Sequence, residues 1–237
     1  ALLEQYVQRT RKALTTWAGN IARADQVLEP SADTHGRLVS PAFIDIMRLV
    51  SDQVDVVREL NGTLLREVGV CGLDALMWFQ QRQLEGALRP LAGIAGGTAD
   101  VDIADGKEKD GDMPASRSQA ELMELSLARM ASLANSSLEA AAEMEPFSNS
   151  IASMLLLTPH ALMAHNRLDA AAAARGFAET AAVAAERCAD IVLHDIIAKL
   201  FPELFTDEWS AQNAADSVIA GNIATLKNYL DDLRVYL

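Results

Sequence analysis

Several things are scarce in this chain, and each scarcity removes a class of function. Cys71 and Cys188 are the only cysteines in 237 residues. Two such widely separated thiols cannot build a disulfide framework, so they read as buried thiols in a reducing cytoplasm. No apolar run approaches the roughly 18 residues that a membrane span needs. The most apolar window, SIASMLLLTPHALM from Ser150, is broken by Pro159 and His160. Positive charge is the minority, with 20 Lys and Arg against 33 Asp and Glu, giving a net charge of -13 and a pI near 4.7. A bulk field of that sign repels phosphate backbones, which excludes nucleic acid and anionic membrane as partners through overall charge. Apolar alternation of period two is missing, so no strand is expected, and no signal-peptide series opens the chain. The first residue is Ala and the last apolar pattern stops in mid-repeat at Leu237, which reads as a fragment or processed piece.

What is abundant is helical apolar spacing, in a chain that is 50% hydrophobic and long enough to bury a sizeable core. Leu3, Val7, Thr10, Leu14, Trp17, Ile21, Ala24 and Leu28 recur in steps of four and three, predicting a helix with one seam that ends near Glu29-Pro30. The polar stretch EPSADTHGRLVS follows as a loop. Ser40 and Pro41 then read as N-cap and first-turn proline of a second long helix carrying Phe43, Met47, Val50, Val54, Val57, Asn61, Leu64 and Val68. Gly62 weakens that helix, and GVCG at Gly69 to Gly72 is expected to bend or end it before a third helix with Leu73, Leu76, Met77, Leu84, Leu88 and Leu91. Asn61 reads as a register-fixing polar residue on the seam or, more simply, as a helix-end asparagine.

From Gly93 to Ser118 the character changes to five glycines and six acidic residues with hardly any large side chains. That composition predicts a mobile linker. Order is expected to return at Gln119, on a helix carrying Leu122, Met123, Leu127, Met130, Leu133 and Leu138 that Pro146 ends, followed by a shorter apolar segment to about Leu157. An alanine-rich helix runs from about Leu168 to Phe201, and a last helix carries Ile219, Ile223, Leu226, Leu230, Leu233 and Leu237. Between these two lies KLFPELFTDEW, where Pro202, Phe205 and Trp209 are read as a structural joint. Proline interrupts the backbone ladder, the aromatics plug the gap, and Thr206 or Asp207 caps the last helix. The fold class is therefore all-α: about seven amphipathic helices in antiparallel bundles, one sub-bundle over 1–92 and another over 119–237 flanking the 93–118 linker, or one continuous module.

Chemistry is hard to find. None of His35, His160, His165 and His194 has a glutamate three places before it, which rules out the di-iron signature of helical bundles. His160 and His165 fall on different helix faces, and no His-Glu-x-x-His zinc motif is present. His194-Asp195 is the best candidate pair, but adjacent helical residues diverge by about a hundred degrees and no nucleophile is placed beside them. The linker glycines lack the strand and the Gly-Lys-Ser/Thr of a phosphate loop. Trp78-Phe79 and Phe201, Phe205 and Trp209 have the spacing of core aromatics rather than of a ligand box. The Asn61-Gly62-Thr63 and Asn135-Ser136-Ser137 triplets are chance glycosylation patterns in helices. The expectation is no catalytic residue, no metal site, no cofactor and no enzyme. A bundle with eight methionines and many alanines leaves one alternative, a carrier of a lipid or small apolar ligand.

Three stretches together carry a resemblance. WAGNIARAD with GRLVSPAFIDIMRLVSDQV, then ELMELSLARMASLANSSLEAAAEM, then DIIAKLFPELFTDEW with IATLKNYLDDLRVYL resemble, in order, the C-terminal region of the exocyst complex component three family, the Sec-six-type tether subunit. The chain departs from that pattern in the alanine-rich helix, in the linker, and in having Asp207-Glu208 where a basic residue often precedes the tryptophan. The resemblance implies a rod of stacked helical bundles in the exocyst vesicle-tethering complex, acting without catalysis in exocytosis. Its implied partners are other exocyst subunits and SNARE-type fusion proteins. Its implied location is cytoplasmic, recruited peripherally to the plasma membrane or secretory vesicles.

Overall fold

A computed structural model describes residues 2–89, 119–156, 170–204 and 214–236. Among them are six helices and one tiny hairpin: α1 (Leu2–Asp25), β1 (Ser31–Ala32), β2 (Leu38–Val39), α2 (Ala42–Val57), α3 (Gly62–Leu88), α4 (Gln119–Met154), α5 (Ala170–Leu204) and α6 (Ala214–Tyr236). The expected class, all-α, holds, with six helices among the described residues in place of about seven. The 93–118 linker lies outside the described residues.

The hairpin is the one departure in kind. β1 and β2 pair antiparallel with Ser31 opposite Val39 and Ala32 opposite Leu38. Two residues per strand are too few to show a period, so alternation could not announce them. What builds the turn is Asp33, whose Oδ1 accepts from the backbone N–H groups of His35 (2.8 Å) and Arg37 (2.9 Å), with Gly36 at φ +86 supplying the left-handed residue.

Helix α2 ends at Val57, and Asn61 starts a new helix instead of continuing the old one. Its Oδ1 accepts from the N–H groups of Thr63 (2.7 Å) and Leu64 (3.3 Å), satisfying two of the donors every helix start leaves open. The helix-end reading of Asn61 is therefore the right one. At the start of α2 the N-cap position falls on Pro41, while Ser40 Oγ accepts from the N–H of Ala42 at 3.1 Å.

The GVCG stretch does not end a helix; it lies buried inside α3, which runs on to Leu88. A Cβ on Gly69 would sit 2.9 Å from Ile151 Cδ1, and one on Gly72 would sit 2.5 Å from Val50 Cγ1. The glycines are there so that α2 and α4 can approach the α3 backbone, and this close approach outweighs their poor helix propensity. Pro146 likewise does not end α4, which continues to Met154. The lost hydrogen bond is outweighed because Met144, Phe147 and Ile151, on both sides of it, are buried in the core.

Two cores lie along the molecule. The larger joins Leu14, Ile46, Val50, Leu65, Leu73 and Leu76 from the first part of the chain to Met144, Ile151, Ala173 and Phe177 from the second. The smaller joins Met123, Leu127 and Ala131 of α4 to Cys188, Ile191 and Val192 of α5, with Tyr229 of α6 against it. Since early α4 meets late α5 and late α4 meets early α5, these helices run antiparallel. At about 1.5 Å per residue, the 36 residues of α4 form a spine of roughly 54 Å carrying both cores. On α1 the buried line is Thr10, Leu14, Ala18 and Ala22, so Trp17, Leu3 and Leu28 of the expected seam stand at its solvent edge.

Candidate interaction surface

The residues with chemical potential are dispersed. His35 sits in the hairpin turn and His194 on α5, while the side chain of Asp195 and the whole of His160 and His165 lie outside the described residues. Among the described residues no group of three or more His, Cys, Asp or Glu could hold a metal ion. Phe79 is core, and Trp78 packs over the Gly19 backbone of α1 beneath the Arg82 guanidinium, 4.9 Å from its ring centre. That is helix packing with a cation–π cover, not a ligand box. Cys71 and Cys188 are both buried and free. Burial pushes the Cys188 thiol up to about 11, and burial raises Cys71 as well, against the opposing pull of Arg11. Neither is a thiolate at neutral pH. Pro202 falls inside the last turn of α5; Phe205 and Trp209 lie outside the described residues, as do the side chains of Phe201 and Pro202.

A polar latch ties the loop after α1 to the middle of α4. Arg37 bridges Asp33 (2.8 Å) and Glu139 (2.7 Å), Ser136 Oγ accepts from the N–H of Ser40 (2.9 Å), and Asn135 Nδ2 donates to the Leu38 carbonyl (2.8 Å). Asn135, Ser136 and Ser137 are buried, so this triplet is structural. Replacing Asn135 by Ala removes the donor to the half-buried Leu38 carbonyl, and is expected to cost about 1 kcal/mol. The check is the urea midpoint: a shift indistinguishable from zero would mean that the latch contributes nothing.

Beside the latch is a cleft of about 230 Å³ between the ends of α1 and α3, the start of α2 and the side of α4. Its apolar walls are Leu28, Pro30, Pro41, Ala87, Met130 and Leu133, and Glu29, Arg89 and Arg129 line it as well. Asp25 also lines it; its carboxylate accepts from Ser40 Oγ on one oxygen and from Gln83 Nε2 (2.7 Å) on the other, both neutral donors. The helix ends nearby carry their own cations, with Arg129 donating to the Val27 carbonyl (3.5 Å) and Arg187 to that of Leu88 (3.3 Å). Nothing in the sequence marked this cleft, because its lining comes from four segments far apart in the chain.

The second surface is on α6. Ile219, Ile223, Leu226 and Leu230 follow the four-three spacing along one narrow stripe and remain 41–62% exposed, while Thr225 and Tyr229 on the neighbouring face are partly buried. A four-residue aliphatic stripe left open on a helix is a candidate surface for contact with another helix.

Residues 1–237 match the family described as Exocyst complex component Sec6. The chain belongs to the Sec6 family of exocyst components. That is the tether-subunit family of the resemblance, under the name Sec6 rather than component three. A solved structure, the crystal structure of the C-terminal domain of the exocyst subunit Sec6p, is similar in fold with a TM-score of 0.69 at 18% sequence identity. The match covers 100% of this chain and 57% of that one, so this Sec6-family chain spans a little over half the length of the solved chain. An all-helical bundle is what the two share.

Proposed function

We propose that this chain is part of a non-enzymatic subunit of the exocyst, acting in vesicle tethering and exocytosis through protein–protein contacts. The observation that carries the reading is the Sec6-family match along all 237 residues. Architecture supports it: a long helical spine with two cores and an open aliphatic stripe is suited to holding other helices. Its partners are other exocyst subunits, whose helices pack on the α6 stripe, and SNARE-type fusion proteins. The protein is cytoplasmic and is recruited peripherally to the plasma membrane or secretory vesicles through those partners. Among the described residues no helix is long and apolar enough to cross a membrane, which accords with indirect membrane association. In this reading the 1–92 and 119–237 sub-bundles serve as one rod segment, and Pro202, Phe205 and Trp209 form the joint between α5 and α6.

The carrier alternative finds no support in the described cavities. The larger holds about 230 Å³, below the usual range of roughly 300–1,000 Å³ for small-molecule pockets. The test of the tether reading is retention from cell lysate on immobilised chain: exocyst subunits are expected on the beads. Because helix contacts rest on apolar cores, retention should survive moderate salt far better than a phosphate-driven complex would.

A further inference from the structure

We infer that the solvent face of α1 is a docking stripe for an acidic helix of a partner protein, one whose carboxylates stand in a row opposite Arg9, Lys12 and Arg23. The inference rests on the reading of the chain as a protein-contact module and adds to it a further surface and the charge class of what that surface holds.

Charge is spread unevenly over this molecule. The chain carries -13 overall, and the other five described helices each hold more acids than bases, yet α1 holds Arg9, Arg11, Lys12 and Arg23 against Glu4 and Asp25. The excess is gathered on one face. At about 100° per residue, Arg9, Lys12, Thr16, Asn20 and Arg23 fall within about 80° of arc, opposite the buried line of Thr10, Leu14, Ala18 and Ala22, and all five are exposed. Neither acid of α1 shares that arc. Arg9 and Lys12 make no ion pair among the described residues, and Arg23 donates only to neutral acceptors, Asn20 Oδ1 at 2.6 Å and the Gly19 carbonyl at 3.3 Å. Where α3 packs alongside, charges are already matched, Arg11 with Asp74 at 3.4 Å and Arg82 with Glu85 at 2.7 Å.

The sign and shape of the stripe select its occupant. A face left to water mixes signs, as α2 does with exposed Asp45, Arg48, Asp52 and Asp55, whereas this one presents a single sign and attracts carboxylates. Arg9 and Arg23 stand roughly 21 Å apart along the axis, a length over which acids at steps of three, four and seven on one helix form a matching row. Short neutral Thr16 and Asn20 lie between them. Leu2 and Val27, 82% and 74% exposed, fall on the same line at its two ends and offer apolar contacts there. An anionic membrane fits less well, because polybasic adsorption draws on roughly four to eight clustered Lys and Arg and the net charge of -13 opposes it. The same field sets nucleic acid aside.

The experiment is fluorescence anisotropy on the full chain at low salt, with a labelled alanine-rich helical peptide of about five turns that bears Glu along one face and Leu at each end. Its controls are a peptide of the same composition with Glu spread around the helix, and a version with Lys in place of Glu. The one-face Glu peptide is expected to bind saturably, at least tenfold tighter than either control, and to weaken as salt rises. An Arg9→Glu/Lys12→Glu/Arg23→Glu variant changes only exposed positions, so its melting temperature should stay within a few degrees. It should lose the Glu peptide at least tenfold and gain the Lys peptide, an exchange that damage to the fold cannot produce. Absence of saturable binding, equal binding of the one-face and spread peptides, or unchanged binding to the reversed variant overturns the inference. So does displacement of the peptide by phosphatidylcholine vesicles with about 30% phosphatidylserine, which would make the occupant a membrane. Retention of exocyst subunits through α6 can persist in each of those cases, so failure of the stripe and failure of the tether reading are told apart.

Discussion

Phe177→Ala is expected to lower stability by about 3–5 kcal/mol, the usual cost of removing a phenylalanine from a packed core. The ring is 2% exposed and meets Phe43 edge to face, with centroids 5.7 Å apart and planes at 72°. Such a pair adds roughly 0.5–1.5 kcal/mol to what burial alone provides. Phe177 belongs to α5 and Phe43 to α2, so the contact clamps the second part of the chain onto the first. The residue also borders a small void of about 10 Å³, which the truncation would enlarge. For a chain of this size each kcal/mol moves the melting point by about 2–4 °C. A drop of less than a few degrees on calorimetry would contradict a core shared across the chain, and Phe177→Leu should lose distinctly less than Ala.

Gly72→Val is expected to cost about 3 kcal/mol, the upper end for forcing extra carbons into a filled core. A Cβ alone would stand 2.5 Å from Val50 Cγ1 and 3.7 Å from Phe147 Cζ. Val50 is fully buried and has nowhere to retreat. Gly72→Ala should cost less, because the gain in helix propensity, about 1 kcal/mol, offsets part of the overlap. If GVCG were a bend, Gly72→Ala would stabilise the protein. The decisive comparison is a double-mutant cycle on denaturant midpoints: Val50→Ala should make room for the new methyl, so the pair loses less than the sum of the singles.

The same position shows how far the sequence could be read. The seam of α2 was legible because apolar side chains at steps of three and four mark a buried stripe directly: Phe43, Val50, Val54 and Val57 lie inside. On α4, by contrast, only Met123 and Leu127 of the six expected residues are buried, Leu138 is exposed, and the small side chains of Ala131, Ala134 and Ala140 fill the buried line instead. Glycines and prolines misled, because their local penalties are real but small beside tertiary packing. Gly69 and Gly72 signalled close approach rather than a break, and Pro146 was carried through by the buried residues around it. Asn61 worked in the other direction: its capping role was readable, yet the apolar spacing running past it concealed the break between α2 and α3. The resemblance located the family, which the match over the whole chain bears out. The cleft was invisible to any linear reading, since Asp25, Gln83 and Leu133 meet only once the helices have packed.

The central claim, that this is a tether subunit working through helix contacts, is tested most directly by quantitative mass spectrometry of lysate proteins retained on the immobilised chain. The comparison is between the wild-type chain and an Ile223→Asp/Leu226→Asp variant. Both positions are exposed on α6, so the variant should fold normally, with an unchanged circular dichroism spectrum and melting temperature. Two carboxylates in an apolar helix contact cannot be buried without large cost. The account predicts that other exocyst subunits are retained by the wild-type chain at moderate salt and fall at least tenfold on the variant. Recovery of no exocyst subunit, or equal recovery on both chains, would contradict it.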